Sequence, residues 1–237
     1  MKAMILAAGL GTRLKPFTNK HPKALAMVNG KSLLQRNIEY LATFGIKDVI
    51  VNVHHFADQI IDEIKKNNGF GSTITISDES EEVLETGGGL KKAKWFFDDG
   101  PFVLMNVDIL TDMDLLQMID THASSKALAT LIVAKRKTSR YFLFNELNVL
   151  CGWRNINTHD QKINREALQY FEKAFWGIHI ISPEIFNLIT QEGKFSIVDV
   201  YMSLVKTHTI IGVEDNQSNF IDVGKPESII KAENLFL

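Results

Sequence analysis

A glycine-containing segment near the start of the chain has the composition of a phosphate-binding loop. Positions 8–14 read Ala-Gly-Leu-Gly-Thr-Arg-Leu and follow an apolar run, 3–7, that predicts a β-strand. Glycines let a backbone approach an anion closely, and consecutive N–H groups can point at its oxygens. Arg13 adds a planar fork of donors, and Lys23 adds a compact charge. A tight strand-to-helix turn carrying two solvated cations is the structural alternative.

Two familiar phosphate loops are excluded by this segment. A dinucleotide-binding G-x-G-x-x-G needs a third glycine where Leu14 stands. A Walker A loop needs Gly-Lys-Ser/Thr after a four-residue gap, and the chain has no such run. The remaining interpretation is a glycine loop that carries its own arginine.

An acidic residue follows another apolar run. Residues 102–106 predict a buried strand that ends at Asn106, and Asp108 comes directly after it. In an open α/β sheet, ligands bind beyond the carboxyl ends of the strands, where a carboxylate suits Mg²⁺. A helix N-cap is the alternative role. Asp112 and Asp114 are better caps for the helix that follows, so metal binding is favoured for Asp108.

Two further segments combine glycine with polar residues. Glu85 and three glycines at 87–89 precede a helical stretch, which indicates either close backbone approach to a ligand or a flexible helix entry. Asp222 lies in the late segment 219–226. Taken alone, Asp222 reads as a cap for a last helix that Pro226 opens.

The elements that must position these residues alternate along the chain. Strands are predicted at 3–7, 48–53, 73–77, 102–106 and 127–134, and helices at 33–44, 58–66, 89–97 and 115–124. This alternation predicts an α/β fold with a doubly wound, mostly parallel sheet. Residues 140 to about 169 are polar and aromatic, and predict a hairpin or a flexible cover. Strands at 174–181, 209–213 and 219–221 follow, with helices after Pro183, at 197–206 and at 226–236.

Composition excludes several classes of protein. The chain has 237 residues, 45% of them hydrophobic, so we expect one domain over 1–237 with a sizeable core. Its net charge of −2 gives no footprint for nucleic acid or an anionic membrane. The single cysteine, Cys151, excludes an internal disulfide. The first residues do not form a signal peptide and no apolar run is long enough to span a bilayer, so we expect a cytoplasmic protein.

The first loop closely resembles the signature of the sugar nucleotidyltransferases, the nucleoside-diphosphate-sugar pyrophosphorylases. The matching positions are 6–16, read as Leu-Ala-Ala-Gly-Leu-Gly-Thr-Arg-Leu-Lys-Pro, with Thr18, Pro22, Lys23 and Leu25. The resemblance covers essentially the whole chain. It implies a Rossmann-like, GT-A-like fold with a nucleotide-binding part over about 1–135 and a small sugar-binding lobe over about 140–220. It also implies transfer from a nucleoside triphosphate to a sugar 1-phosphate, with release of pyrophosphate.

The resemblance assigns roles residue by residue. The first loop and the second glycine segment would bind the nucleotide, through Ala8, Gly9, Gly11, Thr12, Arg13 and Gly88. Substrate binding falls to Lys23, Asn106, Glu85, Trp176 and Gly177, although the aromatics around Gly177 could equally belong to the core. Catalysis falls to Arg13, Lys23 and Asp108. Mg²⁺, the implied cofactor, would be held by Asp108 and by Asp222, whose segment resembles the family's aromatic-x-Asp-x-Gly element.

The nature of the substrates is less strongly determined. The order of residues 84–90, with Ala7 and Ala8, is most similar to short uridylyltransferases that act on N-acetylmuramate 1-phosphate in cell-wall recycling, so UTP is the expected nucleotide. Guanylyl or cytidylyl transfer to mannose 1-phosphate, heptose 1-phosphate or phosphocholine is the alternative. Val107, where the family commonly has glycine, and the unmatched segment 139–153 leave a non-catalytic nucleotide-sugar-binding regulator as a lesser alternative. Homo-oligomerisation is left open.

Overall fold

The computed structural model describes residues 1–236. The strands are β1 (Lys2–Leu6), β2 (Met27–Val28), β3 (Lys31–Ser32), β4 (Asp48–Val53), β5 (Thr73–Asp78), β6 (Phe102–Asn106), β7 (Ile109–Thr111), β8 (Ala129–Ala134), β9 (Arg140–Phe144), β10 (Leu150–Asn155), β11 (Asp160–Ile163), β12 (Phe171–Ile181), β13 (Ile210–Glu214) and β14 (Phe220–Asp222). The α-helices are α1 (Leu33–Thr43), α2 (Ala57–Lys66), α3 (Glu85–Lys92), α4 (Leu115–Ser125), α5 (Ile185–Leu188), α6 (Ile197–Leu204) and α7 (Pro226–Leu235).

Most strands join one large sheet with helices on both faces. Its order is β11-β10-β9-β12-β6-β1-β4-β5, with β8 and β13 attached beside β12. The strands β6, β1, β4 and β5 run parallel, as do β8 and β13. The predicted α/β class with a mostly parallel central sheet is therefore confirmed, and it is joined on one side by antiparallel strands.

The side chains of the central strand supply both layers of the core. Ala3 and Ile5 pack into one hydrophobic cluster and Met4 into the other, because successive side chains on a strand point to opposite faces. Helix α1 covers the first face with Leu34, Ile38 and Leu41. Each such buried aliphatic side chain contributes about 1.5–3 kcal/mol, so this spacing fixes which face of the helix meets the sheet.

The segment that the sequence left as a hairpin or cover is an antiparallel extension of the sheet. Strands β9, β10 and β11 pair in succession, and β12 joins them to the central sheet by pairing first with β9 and then with β6 and β8. The hairpin alternative is the correct one. Strand β11 is exposed throughout, so it lacks the alternation of buried and exposed side chains that marks a strand in the sequence.

Two features of the described fold differ from the prediction or add to it. Helix α3 begins at Glu85, not after the glycines, so residues 87–89 lie inside the helix. Short strand β7, which the sequence did not predict, pairs with β14 away from the large sheet. Within residues 1–236, no helix is both long and apolar enough to cross a membrane.

A buried ion pair fastens the extension to the sheet. Lys173 Nζ lies 2.7 Å from Glu214 Oε2 and donates to Asn148 Oδ1 at 2.6 Å, and only 7% of the lysine side chain is exposed. The hydrogen bond from Lys173 lowers the pKa of Glu214 from its usual 4.5 to about 2. Because the folded-state pKa is depressed, this stabilisation is complete above pH 4.5 and is lost as the pH falls toward 2.

We expect Lys173→Met to lower the free energy of unfolding at pH 7 by about 3 kcal/mol, since it removes the buried cation of the pair and leaves Glu214 only the exposed Lys135 and Asn216 as partners. Lys135→Met is the matched control. Lys135 also pairs with Glu214, at 3.2 Å, but its side chain is 74% exposed, so a loss below about 1 kcal/mol is expected. Urea denaturation at pH 7 and in the acid window measures both. Equal losses for the two variants, or a Lys173→Met effect that does not shrink in acid, would contradict this assignment.

Candidate active site

A two-stranded ribbon brings the two predicted metal ligands together. Asp108 follows β6 and precedes β7, while Asp222 ends β14. The antiparallel pairing places Asp222 opposite Ile109, and Val223 N donates to Asp108 O at 2.8 Å. Two acids from distant parts of the sequence therefore share the carboxyl edge of the central strands.

The other acids near Asp108 have structural roles. Asp114 caps α4 by accepting a hydrogen bond from Leu116 N at 2.9 Å, as predicted. Asp112 accepts from Asn219 N at 2.8 Å and from the Asn219 side chain at 2.7 Å. Asp112 therefore anchors the start of β14 instead of capping a helix.

Each acid of the pair faces a cation from the first loop region. Lys23 Nζ forms a close ion pair with Asp108 Oδ2, and both side chains are largely buried. Arg13 Nη2 lies 3.6 Å from Asp222 Oδ2, with 58% of the arginine side chain exposed. The structure thus groups the predicted Arg13, Lys23, Asp108 and Asp222, with Arg13 reaching outward.

The carboxylate of Asp222 is only partly satisfied by protein groups. Its Oδ1 is buried and, within residues 1–236, has no hydrogen-bond partner. Burial and the nearby charge of Asp108 raise the pKa of Asp222, while Lys23 and Arg13 oppose that rise. A hard divalent cation would satisfy both carboxylates. In the described part of the chain no cluster of three or more His, Cys, Asp or Glu side chains is placed to hold a metal, so bound substrate oxygens would have to complete its coordination.

The first loop folds back on itself around Gly11. Gly11 has φ +60°, and Thr18 Oγ1 donates to its carbonyl at 2.9 Å. A Cβ at this position would lie 2.8 Å from Thr18 Cγ2 and 3.0 Å from Lys23 Cβ. Only glycine fits, since the left-handed backbone and the close contact both exclude a side chain. The aliphatic part of the Lys23 side chain therefore packs against the loop at Gly11.

A cavity of about 350 Å³ opens beside the ion pairs. Six of the predicted residues line it, namely Ala8, Gly9, Lys23, Glu85, Asn106 and Asp108. Thr86 and Ser196, which the sequence did not single out as ligand-binding, also line it. Gly11, Thr12, Arg13, Gly88, Trp176, Gly177 and Asp222 are not among its lining residues.

The second glycine segment has a packing role that its sequence did not reveal. A Cβ on Gly88 would lie 2.3 Å from Gly193 O, and one on Gly87 would lie 2.6 Å from the Phe195 ring. Helix α3 therefore approaches the segment 193–196 too closely for side chains at these positions. The absence of side chains at 87 and 88 is explained by this contact, and binding at Gly88 stays a prediction.

The predicted sugar-side residues lie where β12 bulges. Its pairing with β8 shifts between Phe175 and His179, and Gly177 there has φ +76°. A Cβ on Gly177 would lie 2.8 Å from Asn106 Nδ2, so this glycine makes room for the Asn106 side chain. Trp176 is 3% exposed and stacks on Phe220 at 4.3 Å between ring centroids.

Val107, which departs from the family pattern, is fixed by core packing and by a hydrogen bond to its carbonyl oxygen. Its side chain is 4% exposed and belongs to the core, and it also borders the cavity. Asn37 Nδ2 on α1 donates to Val107 O at 2.8 Å. The valine is accommodated by core packing, and the neighbouring Asp108 keeps its position at the strand end.

A buried polar brace, which sequence analysis missed, joins the first loop to α3. Asn52 Oδ1 accepts from Ala7 N at 2.7 Å, and Asn52 Nδ2 donates to Glu79 Oε1 at 2.7 Å. Glu79 is 1% exposed, and its second oxygen accepts from Leu84 N at 3.1 Å. Polar residues at the ends of adjacent strands β4 and β5 were the available signal, because parallel strands end at one edge.

We expect Asn52→Ala to lower the free energy of unfolding by about 2–3 kcal/mol, because it strands a buried N–H and a buried carboxylate. Asn67→Ala is the control: Asn67 hydrogen-bonds Glu63 on an exposed surface, so a change within about 0.5 kcal/mol is expected. Chemical denaturation measures both. A loss for Asn52→Ala no larger than the control would show that the brace does not hold the loop.

Comparisons with known proteins show similarity to one family over nearly the whole chain. The profile of the nucleotidyl transferase family matches residues 2–237. N-acetylmuramate alpha-1-phosphate uridylyltransferase of Caulobacter vibrioides is 31% identical over 98% of this chain and 95% of its own length. Mannose-1-phosphate guanyltransferase of Yarrowia lipolytica is 28% identical over 100% of this chain, which spans 64% of that protein.

A solved structure is similar over its whole length. HddC from Yersinia pseudotuberculosis, complexed with GMP-PN, superposes with a TM-score of 0.80 at 26% identity, covering 100% of this chain and 99% of that one. The similarity extends through both the central sheet and the antiparallel extension.

Proposed function

The chain belongs to the nucleotidyl transferase family and is a sugar-1-phosphate nucleotidyltransferase, and we propose that it transfers the uridylyl group of UTP to N-acetylmuramate 1-phosphate. The observation that carries the general reaction is the grouping of Lys23, Arg13, Asp108 and Asp222 beside a cavity at the carboxyl edge of the sheet. The choice of UTP and of the sugar is supported by the near-full-length match to the Caulobacter enzyme.

The proposed reaction exchanges one phosphate bond for another. An oxygen of the sugar 1-phosphate attacks the α-phosphorus of the nucleotide, and the bond from that phosphorus to the leaving pyrophosphate breaks. The acceptor is already an anion at neutral pH, so no general base is needed. What the protein must supply is alignment of two mutually repelling anions and neutralisation of the charge at the α-phosphorus.

The chain's own cations suit these tasks. Lys23, held against Asp108 at the cavity wall, would contact the attacking and α-phosphates. Arg13, more exposed and beside Asp222, would stabilise the departing pyrophosphate. The backbone around Gly9 borders the same cavity and would receive the nucleotide phosphates.

The two acids fit a magnesium ion. Both acids offer oxygen ligands, Asp222 Oδ1 has no hydrogen-bond partner in the described residues, and the charge of Asp108 opposes that of Asp222. These features would favour a hard cation at this edge, near the substrate phosphates. Bound there, Mg²⁺ would offset the negative charge of the two phosphates as they approach. The positions of Asp108 and Asp222 would in turn orient the nucleotide.

We expect Asp108→Asn to lower turnover by at least about 100-fold, the scale of losing one preorganised transition-state contact. Pyrophosphate release at saturating Mg²⁺ and substrates measures it. Asp120→Asn, on the exposed face of α4, is the control and should keep full activity. Near-normal turnover in Asp108→Asn would remove that residue from the mechanism.

Guanylyl transfer is the second candidate. It is supported by the similarity to HddC, which was solved with GMP-PN, and to mannose-1-phosphate guanyltransferase. The base would be selected by the walls of the cavity near Glu85 and Thr86. Those walls contain backbone and short polar groups, which can accommodate more than one base edge.

A panel of the four common NTPs against N-acetylmuramate, mannose and heptose 1-phosphates, and phosphocholine, separates these candidates. We expect pyrophosphate release with UTP and N-acetylmuramate 1-phosphate. Release with GTP and a mannose or heptose 1-phosphate would keep the mechanism and replace the substrates. Tight nucleotide binding without release from any acceptor would favour a regulator.

A further inference from the structure

A third cation, Arg136, lies near Asp222 and has none of the roles assigned above. Arg136 follows β8, and its Nη2 donates to Phe175 O at 3.0 Å on β12, next to the bulge at Gly177. Its guanidinium carbon lies 5.1 Å from the centroid of the Phe220 ring. Phe220 and Asp222 are alternate residues of β14, so their side chains project from the same face.

This arrangement puts the Arg136 charge within electrostatic reach of the site. Partial burial lowers the pKa of the Arg136 guanidinium, and Asp222 and Tyr141 oppose this effect. The contact with Phe220 orients the Arg136 guanidinium, because a guanidinium stacks favourably on an aromatic face. Trp176 stacks on the same Phe220 ring, which fixes that ring in turn.

Arg136 also retains unused hydrogen-bond donors. A guanidinium has five N–H donors, and among residues 1–236 the only protein acceptor that Arg136 meets is Phe175 O. No carboxylate in that range lies within 4.0 Å of its nitrogens. By contrast, Arg13 is paired with Asp222, and Arg165 donates to two backbone carbonyls.

The charge balance of the site leaves a role for such a cation. Asp108 and Asp222 are offset by Lys23 and Arg13, so these four groups sum to about zero. A phosphomonoester carries a charge of about −1.5 to −2 at neutral pH and must enter beside them. Arg136 is held by Phe175 O on β12 and by the Phe220 ring on β14. Because the nucleotide phosphates are proposed to lie against the first loop, Arg136 is assigned to the acceptor.

We propose that Arg136 binds an anionic oxygen group of the acceptor sugar phosphate and thereby determines acceptor affinity. This inference rests on the proposed function, since it presumes a sugar 1-phosphate in the site. The anion recognised is either the 1-phosphate itself or a carboxylate substituent of the sugar. Both present the planar or trigonal oxygens that suit a guanidinium fork.

The test compares Arg136→Met with wild type on two acceptors, N-acetylmuramate 1-phosphate and N-acetylglucosamine 1-phosphate, which differ in the carboxylate-bearing lactyl ether on the sugar. Pyrophosphate release gives KM for each acceptor, KM for UTP and kcat. We expect the acceptor KM to rise about 10- to 100-fold, the scale of one charge-assisted hydrogen bond, while KM for UTP changes less than about twofold. Arg136→Lys should recover part of the loss, because it keeps the charge and loses the fork.

Arg165→Met is the matched control for structural effects. It removes another guanidinium that donates to backbone carbonyls in the same half of the molecule. We expect it to lower the thermal midpoint and leave both KM values unchanged. A rise in KM for both acceptors in Arg136→Met assigns the 1-phosphate to Arg136, and a rise for N-acetylmuramate 1-phosphate alone assigns the carboxylate.

Two results would overturn the role of Arg136: an unchanged acceptor KM in Arg136→Met, or an equal rise in KM for UTP. Failure of the proposed substrates is a separate result, visible as absence of release by the wild type with UTP. The same variants are then assayed with the nucleotide and acceptor pair that the panel identifies, where an unchanged acceptor KM again overturns the inference.

Discussion

The site depends on two carboxylates from distant segments that are held close together. Asp108 and Asp222 lie close enough for the charge of one to raise the pKa of the other, and one Asp222 oxygen is buried without a hydrogen bond. The pairing of β7 with β14 holds them there, and Lys23 and Arg13 offset their charge. A divalent cation bound at this edge would reduce the repulsion and stabilise the folded site, since a ligand that binds only the folded state raises its stability.

The framework below the site is built from buried polar contacts and from missing side chains. Asn52 and Glu79 tie the first loop to α3, and Asn37 fixes the backbone at Val107. Gly87 and Gly88 allow α3 to pack against the segment 193–196 that closes one wall of the cavity. The hydrogen bonds of Asn52 and Glu79 therefore connect the start of helix α3 with the first loop.

The antiparallel half of the sheet meets the site at the bulge in β12, next to Asn106. The bulge at Gly177 admits the Asn106 side chain, and Phe220 is contacted by both Trp176 and Arg136. Trp176 is almost fully buried and stacks on this ring. In the proposal above, Arg136 contributes to specificity on this side of the site. Substrate binding by Trp176 itself stays a prediction.

The sequence by itself determined the α/β alternation, the central strands and the residue types of the site, because short continuous apolar runs and a dense glycine-rich motif are local signals. The sequence also distinguished Asp114, which caps helix α4, from Asp108, which does not. Tertiary structure decided what depends on contacts between distant segments. The pairing of β7 with β14 turned Asp222 from a possible cap into a neighbour of Asp108, and packing against Gly193 explained Gly88. The Asn52–Glu79 brace and Arg136 carry no local pattern, since only folding shows which donors have partners.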